Sequence, residues 1–396
     1  MDINTKLPQV VSSCSGRFHV FDQARELQAA NMLQQLICDY PASYVENFGI
    51  SADRVKTLYK MAAFRLLWRS VSSYFPSSLY DSINRYFHHC FSMNLAKALP
   101  KEMDFFIGLS SFCQEALQAC RERDILCAVD HGSLHQKEDA LLVRAEAERW
   151  QLPVPKDTSP TWIIEKEDLE FNMADYVFVL STVARDSLVR QGVDAKKIFV
   201  NPCGVDLNAF TPSLNKPPQF QIIQVGNISL RKGVPDLINA FAKARLPDAE
   251  LTFVGSGCND PDMQKLLKTL LLTRVRFIPP VPQADLTQYY QQASVFVLAS
   301  IADGFGMVVS QAMACGLPAI VTEQVGARDL VQDGVNGFIV PIRSPEAIAE
   351  KLQFLYENRA IAQQMGAAAR ATVENNYSWQ HYGERLQKFI KTQRAL

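Results

Sequence analysis

Apolar positions along the chain alternate between short continuous runs and longer segments with helical spacing. The runs at residues 175–180, 220–225 and 295–298 are typical of buried strands, whereas residues 234–244 repeat their apolar positions at helical intervals. Alternation of this kind predicts an α/β protein with parallel sheets covered by helices on both faces. Further helices are predicted at residues 113–123, 136–150, 165–174, 183–191, 263–272, 285–292, 307–315, 344–358, 360–375 and from 378 onward, and further strands at 104–108, 197–200, 250–254, 275–278 and 319–321.

One strand–loop–helix–strand unit, residues 294–341, has the pattern of a binding site. Its loop glycines, Gly304 and Gly306, let a ligand approach the backbone, and the helix that follows offers free N–H groups to an anion. Asp303 and Gln311 bracket this corner. The unit predicts a site for a phosphorylated, hydroxyl-rich ligand. The alternative is that the two glycines only form a tight turn.

The N-terminus repeats the same order of elements. A strand at 9–13 runs into a loop of small residues that contains Gly16, and a helix is predicted over 22–35. Loops at this position of a Rossmann-like unit often meet phosphate or substrate. A single glycine also suits a plain turn between strand and helix, so both interpretations stay open.

Polar side chains follow the strand predicted at residues 124–129. Asp130 and His131 come directly after it, and His135 lies at the start of the next helix. Functional residues gather at the C-terminal ends of parallel strands, so Asp130 and His131 are predicted to have acid–base or hydrogen-bonding roles. His135 can instead cap or pack the following helix. A zinc site is disfavoured because no third ligand follows at a suitable spacing.

A basic loop opens the second α/β series, after a proline-containing stretch at 211–218 that predicts a linker. The loop contains Arg231 and Lys232. Lysine is a compact charge suited to a diphosphate, and arginine can bind one through two N–H groups. Together with the corner at Asp303 and Gln311, the loop favours diphosphate binding over a solvent-facing turn.

Residues 55–99 are rich in aromatic and basic side chains, among them Lys60, Arg65, Leu66 and Leu67. Two interpretations remain open. In the first, amphipathic helices of this region rest on an anionic membrane surface or face a lipid-linked substrate. In the second, they are ordinary helices with solvated basic faces.

Composition and charge narrow the function classes. The length of 396 residues favours two or three domains. A net charge of −1 argues against a general nucleic-acid binder. No apolar run approaches the roughly 20 residues that span a bilayer, and the N-terminus lacks a signal-peptide core. Nine scattered cysteines without a C-x-x-C pair suit a reducing compartment. We therefore expect a cytoplasmic protein, with peripheral contact at the inner membrane face if residues 55–99 bind lipid.

Six motifs are spread over nearly the whole chain: residues 15–19 (SGRFH), 130–135 (DHGSLH), 201–206 (NPCGVD), 225–233 (VGNISLRKG), 303–318 (DGFGMVVSQAMACGLP) and 326–341 (GARDLVQDGVNGFIVP). Together they resemble retaining GT-B glycosyltransferases of family 4. The resemblance is highly specific in the C-terminal half and looser in the N-terminal half, which in that family binds the acceptor.

The resemblance implies a fold of two facing Rossmann-like domains with the active site in the cleft between them. Residues 1–210 would form the acceptor-side domain and residues 219–376 the nucleotide-sugar-binding domain, joined by the linker at 211–218. The last helix, residues 377–396, would return to the N-terminal domain.

The resemblance also implies roles for individual residues. Lys232 and Arg231 would bind the donor diphosphate, Asp303 would hold sugar hydroxyls, and His131 would form a hydrogen bond near the sugar. The glycine loop would present backbone N–H groups to the donor. Residues implied in donor binding are Gly16, Gly226, Asn227, Arg231, Lys232, Gly304, Phe305, Gly306, Met307 and Gln311, with Gln311 facing the ribose. No metal and no cofactor is implied.

The expected activity is metal-independent transfer of a sugar from a UDP- or GDP-linked donor to a hydroxyl of a glycan or lipid-linked saccharide. Three positions depart from the family pattern. Asp303 and Gln311 stand where glutamates are usual, and Asn227 stands where arginine is usual, with Arg231 able to take over that charge. The alternative is a non-catalytic relative that binds a nucleotide, a glycan or a partner subunit.

Overall fold

The computed structural model describes residues 7–71, 75, 77–155, 158–213 and 217–394. Its strands form two separate parallel sheets, which confirms the predicted α/β class. The first sheet has the order β3-β2-β1-β4-β5-β6-β7. Its strands are β1 Val10–Cys14, β2 Leu33–Cys38, β3 Val55–Thr57, β4 Phe105–Leu109, β5 Leu126–His131, β6 Tyr176–Val179 and β7 Ile198–Val200.

Helices cover both faces of the first sheet because each has an apolar side. In the first helix, for example, Phe21, Ala24 and Leu27 are buried while Gln28 stays partly exposed. The helices of this half are α1 Val20–Ala29, α2 Ala42–Val45, α3 Tyr59–Val71, α4 Ser77–Ala98, α5 Gln114–Arg121, α6 Gln136–Arg149, α7 Thr161–Met173 and α8 Thr182–Arg190.

The second sheet has the order β10-β9-β8-β11-β12-β13, again with every pairing parallel. Its strands are β8 Gln221–Val225, β9 Glu250–Val254, β10 Val275–Ile278, β11 Val295–Leu298, β12 Ala319–Thr322 and β13 Gly337–Val340. Its helices are α9 Val234–Ala244, α10 Pro261–Leu267, α11 Gln283–Gln292, α12 Met307–Ala314, α13 Pro345–Glu357 and α14 Arg359–Asn376, followed by α15 Trp379–Arg394.

Two helix predictions were too long. The helix predicted over residues 22–35 ends at Ala29, because the chain turns at Asn31, whose φ is +57°. Leu33 and Leu36 fit a helical interval, but they belong to β2. The helix predicted over 263–272 likewise ends at Leu267.

The last helix, α15, packs on the first half of the chain. The Tyr382 hydroxyl accepts a hydrogen bond from Gln23 Nε2 at 3.0 Å. The Phe389 ring stacks on Phe199 with 4.2 Å between ring centroids. A Cβ at Gly383 would lie 2.7 Å from Glu26 Cβ, so the close approach of α15 to α1 requires glycine there.

The division into domains at residues 210, 218 and 376 stays a prediction. Part of the predicted linker, residues 214–216, lies outside the described residues. The nine cysteines, all of which lie in the described ranges, form no disulfide bond with one another. Within the described ranges, no helix is long and apolar enough to cross a membrane.

Candidate active site

Most of the predicted site residues lie where the strand order of each sheet reverses direction. In the first sheet this point is between β1 and β4, and in the second it is between β8 and β11. The carboxyl ends of strands at such a point leave a crevice in which ligands bind. Gly16 follows β1, Gly226 follows β8, and the loop with Gly304 and Gly306 follows β11.

Lys232 and Asp303 form the central ion pair of the second crevice, with 2.5 Å between Nζ and Oδ2. Both side chains are largely buried. Burial raises the pKa of Asp303, but Lys232 and then Arg231 more than offset this, so the pKa of the carboxyl lies below its ordinary value. Asp303 is therefore a carboxylate at neutral pH. A lysine ammonium has three N–H donors, so Lys232 can hold Asp303 and still donate to a phosphate.

Two helix N-termini border the same crevice. α9 begins after Gly233 and α12 after Gly306, and both glycines have positive φ, +64° and +85°. A Cβ at Gly233 would lie 1.9 Å from the carbonyl oxygen of Ala299, so only glycine fits. Neither cap supplies a side-chain acceptor. The Val234 N–H donates to the Ser229 carbonyl oxygen, the Val309 N–H donates to that of Gly306, and Pro235 has no N–H, so a ligand would meet the remaining N–H groups of the first turns. With Lys232, these N-termini make the crevice suited to an anion.

Arg231, the residue before Lys232, reaches the first half of the chain. Its Nη1 donates to the carbonyl oxygen of Ala302 at 3.3 Å and lies 3.9 Å from Asp139 Oδ1. Asn227 stands at the mouth of the same loop, and its side-chain oxygen accepts a hydrogen bond from Ser256 Oγ at 2.7 Å. Arg231 is thus the second cation of this loop, at the boundary between the two halves.

Gln311 and Met307 lie on α12, and Phe305 is buried in the loop before it. The Tyr290 hydroxyl donates to Gln311 Oε1 at 3.1 Å in a buried position. This contact fixes the Gln311 amide and uses its carbonyl oxygen internally. The contact of Gln311 with a ribose stays a prediction. Because Oε1 is bonded to Tyr290, the Nε2 group is the one that would make this contact.

The loop after β11 touches the first half of the chain. A Cβ at Gly304 would lie 2.3 Å from the carbonyl oxygen of Gly132 and 2.4 Å from Ser133 Cα. The Gly304 carbonyl oxygen accepts a hydrogen bond from Ser181 Oγ at 2.7 Å. Nearby, the Thr182 backbone N–H donates to Asp329 at 2.7 Å. The carboxyl edges of the two sheets therefore meet at Gly304.

His131, the last residue of β5, is fully buried, and both of its ring nitrogens have protein partners. Nδ1 lies 3.0 Å from Ser110 Oγ, and Nε2 lies 3.0 Å from the carbonyl oxygen of Leu134. Burial lowers the pKa of His131 to about 4, so the ring is neutral at pH 7. Its contact with a sugar stays a prediction, and it requires that one of these hydrogen bonds be exchanged.

His135 caps α6, as one of the two sequence interpretations holds. Its Nδ1 accepts a hydrogen bond from the Lys137 backbone N–H at 3.2 Å, and its Nε2 lies 2.8 Å from Asp168. In the described part of the chain, no three His, Cys, Asp or Glu side chains converge to hold a metal ion.

A buried His19–Asp130 pair went unrecognised at the sequence level. His19 Nε2 lies 3.0 and 2.9 Å from the two carboxylate oxygens of Asp130, and Gln23 Nε2 also donates to Asp130 at 2.9 Å. Burial lowers the pKa of His19, but the Asp130 carboxylate outweighs it and the net pKa is raised. Their positions along the chain could have predicted this pair. His19 follows the β1 loop and Asp130 lies near the end of β5, so both are at the same edge of one sheet.

The Gly16 loop is held by a buried carboxylate, that of Asp39. Asp39 accepts a hydrogen bond from Ser15 Oγ at 2.9 Å and a longer one from the Gly16 N–H at 3.4 Å. It also pairs with Arg65 of α3 at 2.9 Å. On the opposite side, Arg17 Nη2 donates to the α11 residue Gln283 at 3.3 Å. The loop therefore spans from α3 to the second half of the chain.

The architecture matches solved GT-B structures over almost its full length. Sucrose-phosphate synthase from Thermosynechococcus elongatus superposes with a TM-score of 0.70 at 20% identity, covering 98% of this chain and 99% of that one. HepE from Anabaena in complex with UDP gives 0.67 at 16% identity, covering 97% and 100%. The fold is therefore GT-B, two Rossmann-like domains around a cleft.

The sequence comparison is more specific for the second half. Residues 208–372 match the family model described as Glycosyl transferases group 1. A D-inositol 3-phosphate glycosyltransferase from Paenarthrobacter aurescens is 33% identical over 212 residues, 49% of this chain and 52% of that protein. The chain thus spans about half the length of the curated relatives it resembles in this way.

The buried state of His131 predicts a specific pH dependence of stability. In the unfolded state His131 has the ordinary histidine pKa of about 6.5. In the folded state its pKa is about 4, so on acidification the unfolded state binds a proton at a higher pH than the folded state does. The free energy of unfolding should therefore fall by about 3 kcal/mol from this residue as pH drops from 6.5 to 4.

Urea unfolding of the parent protein and of His131→Asn between pH 7.5 and 4 measures this contribution as the difference between the two curves. The parallel variant His88→Asn should behave alike, since burial also lowers the pKa of His88 to about 4. A stability difference between parent and variants that does not change with pH would contradict the prediction.

Proposed function

We propose that this protein is a retaining glycosyltransferase that moves a sugar from a UDP- or GDP-linked donor to a hydroxyl of a glycan or lipid-linked saccharide. The observation that carries the proposal is the crevice between β8 and β11. There Lys232, the Asp303 carboxylate and the N-termini of α9 and α12 converge opposite the loops of the first sheet. The names of the sequence relatives and the UDP in HepE support it.

In this proposal the protein stabilises the leaving diphosphate electrostatically. Lys232 and the helix N–H groups meet the developing charge, which is the largest effect available to a preorganised crevice. Arg231 adds a second positive charge at the boundary. Asp303 and the Gly304 and Gly306 backbone hold the sugar, so the transfer needs no metal.

The remaining donor-site assignments belong to the same proposal. Gly16 lets the β1 loop approach the diphosphate, and His131 forms a hydrogen bond near the sugar. Gly226 and Asn227 line the mouth of the β8–α9 loop. The proposed location of the protein is the cytoplasm. The other donor contacts are Phe305, Met307 and Gln311.

A donor screen tests the proposal. The protein is incubated with UDP-glucose, UDP-galactose, UDP-N-acetylglucosamine and GDP-mannose, with and without EDTA, and released nucleotide diphosphate is quantified. NMR of the product then gives its anomeric configuration. We expect turnover of at least one donor, insensitivity to EDTA and a retained configuration. An inverted product would overturn retention, and loss of activity in EDTA would overturn metal independence.

A second candidate, a non-catalytic relative, is favoured by Asp303 and Gln311. In the free protein Asp303 pairs with Lys232, and Tyr290 binds the Gln311 carbonyl oxygen. Calorimetric binding of a nucleotide diphosphate without turnover of any donor would support this candidate. Asp303→Glu and Gln311→Glu together would then show whether the family carboxylates restore activity.

We further propose that α3 and α4 contact an anionic membrane. Leu66 and Leu67 of α3 are 65% and 70% exposed, and exposed Lys60 and Arg85 accompany them. The sequence of α3 contains no acidic residue, and that of α4 contains only Asp81. Apolar side chains next to basic ones are what an interfacial helix needs. Tyr74 and the Arg69 side chain, also in this region, lie outside what is described.

Leu66→Glu combined with Leu67→Glu should abolish this contact. Each leucine side chain that inserts into the membrane contributes on the order of 1–2 kcal/mol to the free energy of membrane binding, which changes the partition coefficient roughly tenfold. Co-sedimentation with phosphatidylglycerol-containing vesicles, and with phosphatidylcholine vesicles alone, measures it. The matched control is Leu271→Glu in the second half, where the leucine is 61% exposed. Equal vesicle binding by the parent and the double variant would contradict the proposal.

A further inference from the structure

A cavity of about 300 Å³ lies between the two halves of the chain, beside the candidate donor crevice. Its volume is at the lower end of the about 300–1,000 Å³ typical of ligand pockets, which suits a ligand about the size of one sugar. The first half contributes part of α6 and residue 133 ahead of it, together with residues 155, 158 and 159 ahead of α7; the second half contributes the β8–α9 loop. The polar side chains that line it are Ser133, Gln136, Asp139, Thr158, Ser159, Ser229 and Arg231.

One wall of the cavity is held in place by its own hydrogen bonds. Gln136 Nε2 donates to Ser133 Oγ at 2.9 Å, and Gln136 Oε1 accepts from Ser159 Oγ at 2.5 Å. Ser133 in turn donates to the Leu134 carbonyl oxygen at 3.0 Å. These groups are ordered before any ligand arrives, which reduces the entropy that binding must offset.

A second wall of the cavity contains the side chain of Thr158. The hydroxyl oxygen of Thr158 is buried and has no hydrogen-bond partner among the described residues. A buried hydroxyl left unpaired is costly, so such an atom marks a place where a ligand completes the hydrogen bonding.

The charges of the cavity indicate the class of ligand. Asp139 of α6 and Arg231 face each other across the boundary, 3.9 Å apart. Carboxylate and guanidinium together accept from and donate to hydroxyl groups. On the cavity side, Asp139 adds a negative charge beside Arg231, so a further phosphate group placed in the cavity would be repelled by this carboxylate. The cavity is therefore suited to an uncharged, hydroxyl-rich molecule.

We propose that this cavity is the acceptor subsite and binds an uncharged polyol unit, a monosaccharide or a cyclitol. The inference rests on the proposed glycosyltransferase function. Ser133 lies against Gly304 of the donor loop, and Arg231 is adjacent to Lys232, so the cavity and the donor crevice share a wall. An acceptor hydroxyl must come within about 3.5 Å of the donor sugar to react, and a shared wall provides this proximity.

Saturation-transfer NMR on the full chain loaded with UDP or GDP tests the inference. The probes are methyl α-D-glucopyranoside and myo-inositol, with inositol 1-phosphate as the charged counterpart. Thr158→Val should weaken binding of a neutral probe by about three- to tenfold, and Asp139→Asn by about tenfold or more. Thr158→Trp, which fills the cavity, should abolish it. The control Thr392→Val removes a hydroxyl bonded to Lys388 on α15 and should bind like the parent.

Nucleotide affinity, measured by calorimetry on every variant, separates this inference from the proposed function. It should stay within about twofold of the parent, because none of the changed residues (Thr158, Asp139 and Thr392) is among the proposed donor contacts. If a nucleotide binds but no neutral probe does, or if the three cavity variants bind probes like the parent, the inference is overturned and the proposed function stands. Loss of nucleotide affinity in these variants would assign the cavity to the donor instead.

Tighter binding of inositol 1-phosphate than of myo-inositol, with Asp139→Asn strengthening it, would overturn the uncharged class of ligand. A parent protein that binds neither UDP nor GDP would overturn the proposed function, and with it this inference.

Discussion

Lys232→Ala should lower kcat by about 10²–10³-fold, the effect of removing one donor aimed at developing charge. The same change should lower the free energy of unfolding by about 3–5 kcal/mol, because it leaves the largely buried Asp303 carboxylate without its cation. Released nucleotide diphosphate gives the first quantity, and urea unfolding gives the second.

The double variant Lys232→Ala, Asp303→Asn separates the two effects. Removing both charges should recover most of the stability while activity stays low. The matched control is Lys243→Ala, which breaks an exposed ion pair with Glu346 on the outer helices α9 and α13 and should change neither quantity. A Lys232→Ala protein with parental activity would remove Lys232 from the proposed mechanism.

Gly304→Ala should lower kcat/KM by about 10²-fold, the effect of displacing a reacting group by about 1 Å. The added methyl would lie 2.3 Å from the Gly132 carbonyl oxygen and 2.4 Å from Ser133 Cα, both backbone atoms of the opposite domain. The two edges must then separate, while each domain keeps its own core. Kinetics measure the loss, and small-angle scattering measures the opening of the cleft.

Gly132→Ala is the control on the other side of this contact. A Cβ at Gly132 would have its nearest neighbours, His19 and Leu180, at 3.9 Å, an ordinary van der Waals distance. This variant should retain activity close to that of the parent. Gly304→Ala activity within fivefold of the Gly132→Ala value would show that close contact at this point is not needed.

The sequence was sufficient to predict most strands of the two sheets, because parallel strands buried on both faces are almost continuously apolar. β11, with all four residues buried, is an example. Besides β2, the sequence did not predict the short strands β3 and β13. β2 was missed because Leu33 and Leu36 also fit a helical interval, and the turn at Asn31 depends on a backbone conformation that asparagine merely tolerates.

The site was predictable in location but not in its internal pairing. Strand–loop–helix order alone places the Gly16, Lys232 and Gly304 loops at sheet edges. Nothing in that order shows that Asp303 binds Lys232, 71 residues away, or that Asp130 binds His19, 111 residues away. These partners come from different elements, so their contact depends on how helices and loops pack.

The contact between Gln23 and Tyr382 also affects the order in which the protein can fold. The two residues are 359 positions apart, and the Tyr382 hydroxyl joins the buried network of Gln23 and Asp130 from the last helix. At a synthesis rate of about 5–20 residues per second, Tyr382 leaves the ribosome roughly 20 to 70 seconds after Gln23. During that interval the N-terminal domain lacks the tyrosine hydroxyl and the cover of α15. Its final packing therefore waits for the synthesis of α15, even though its sheet is made first.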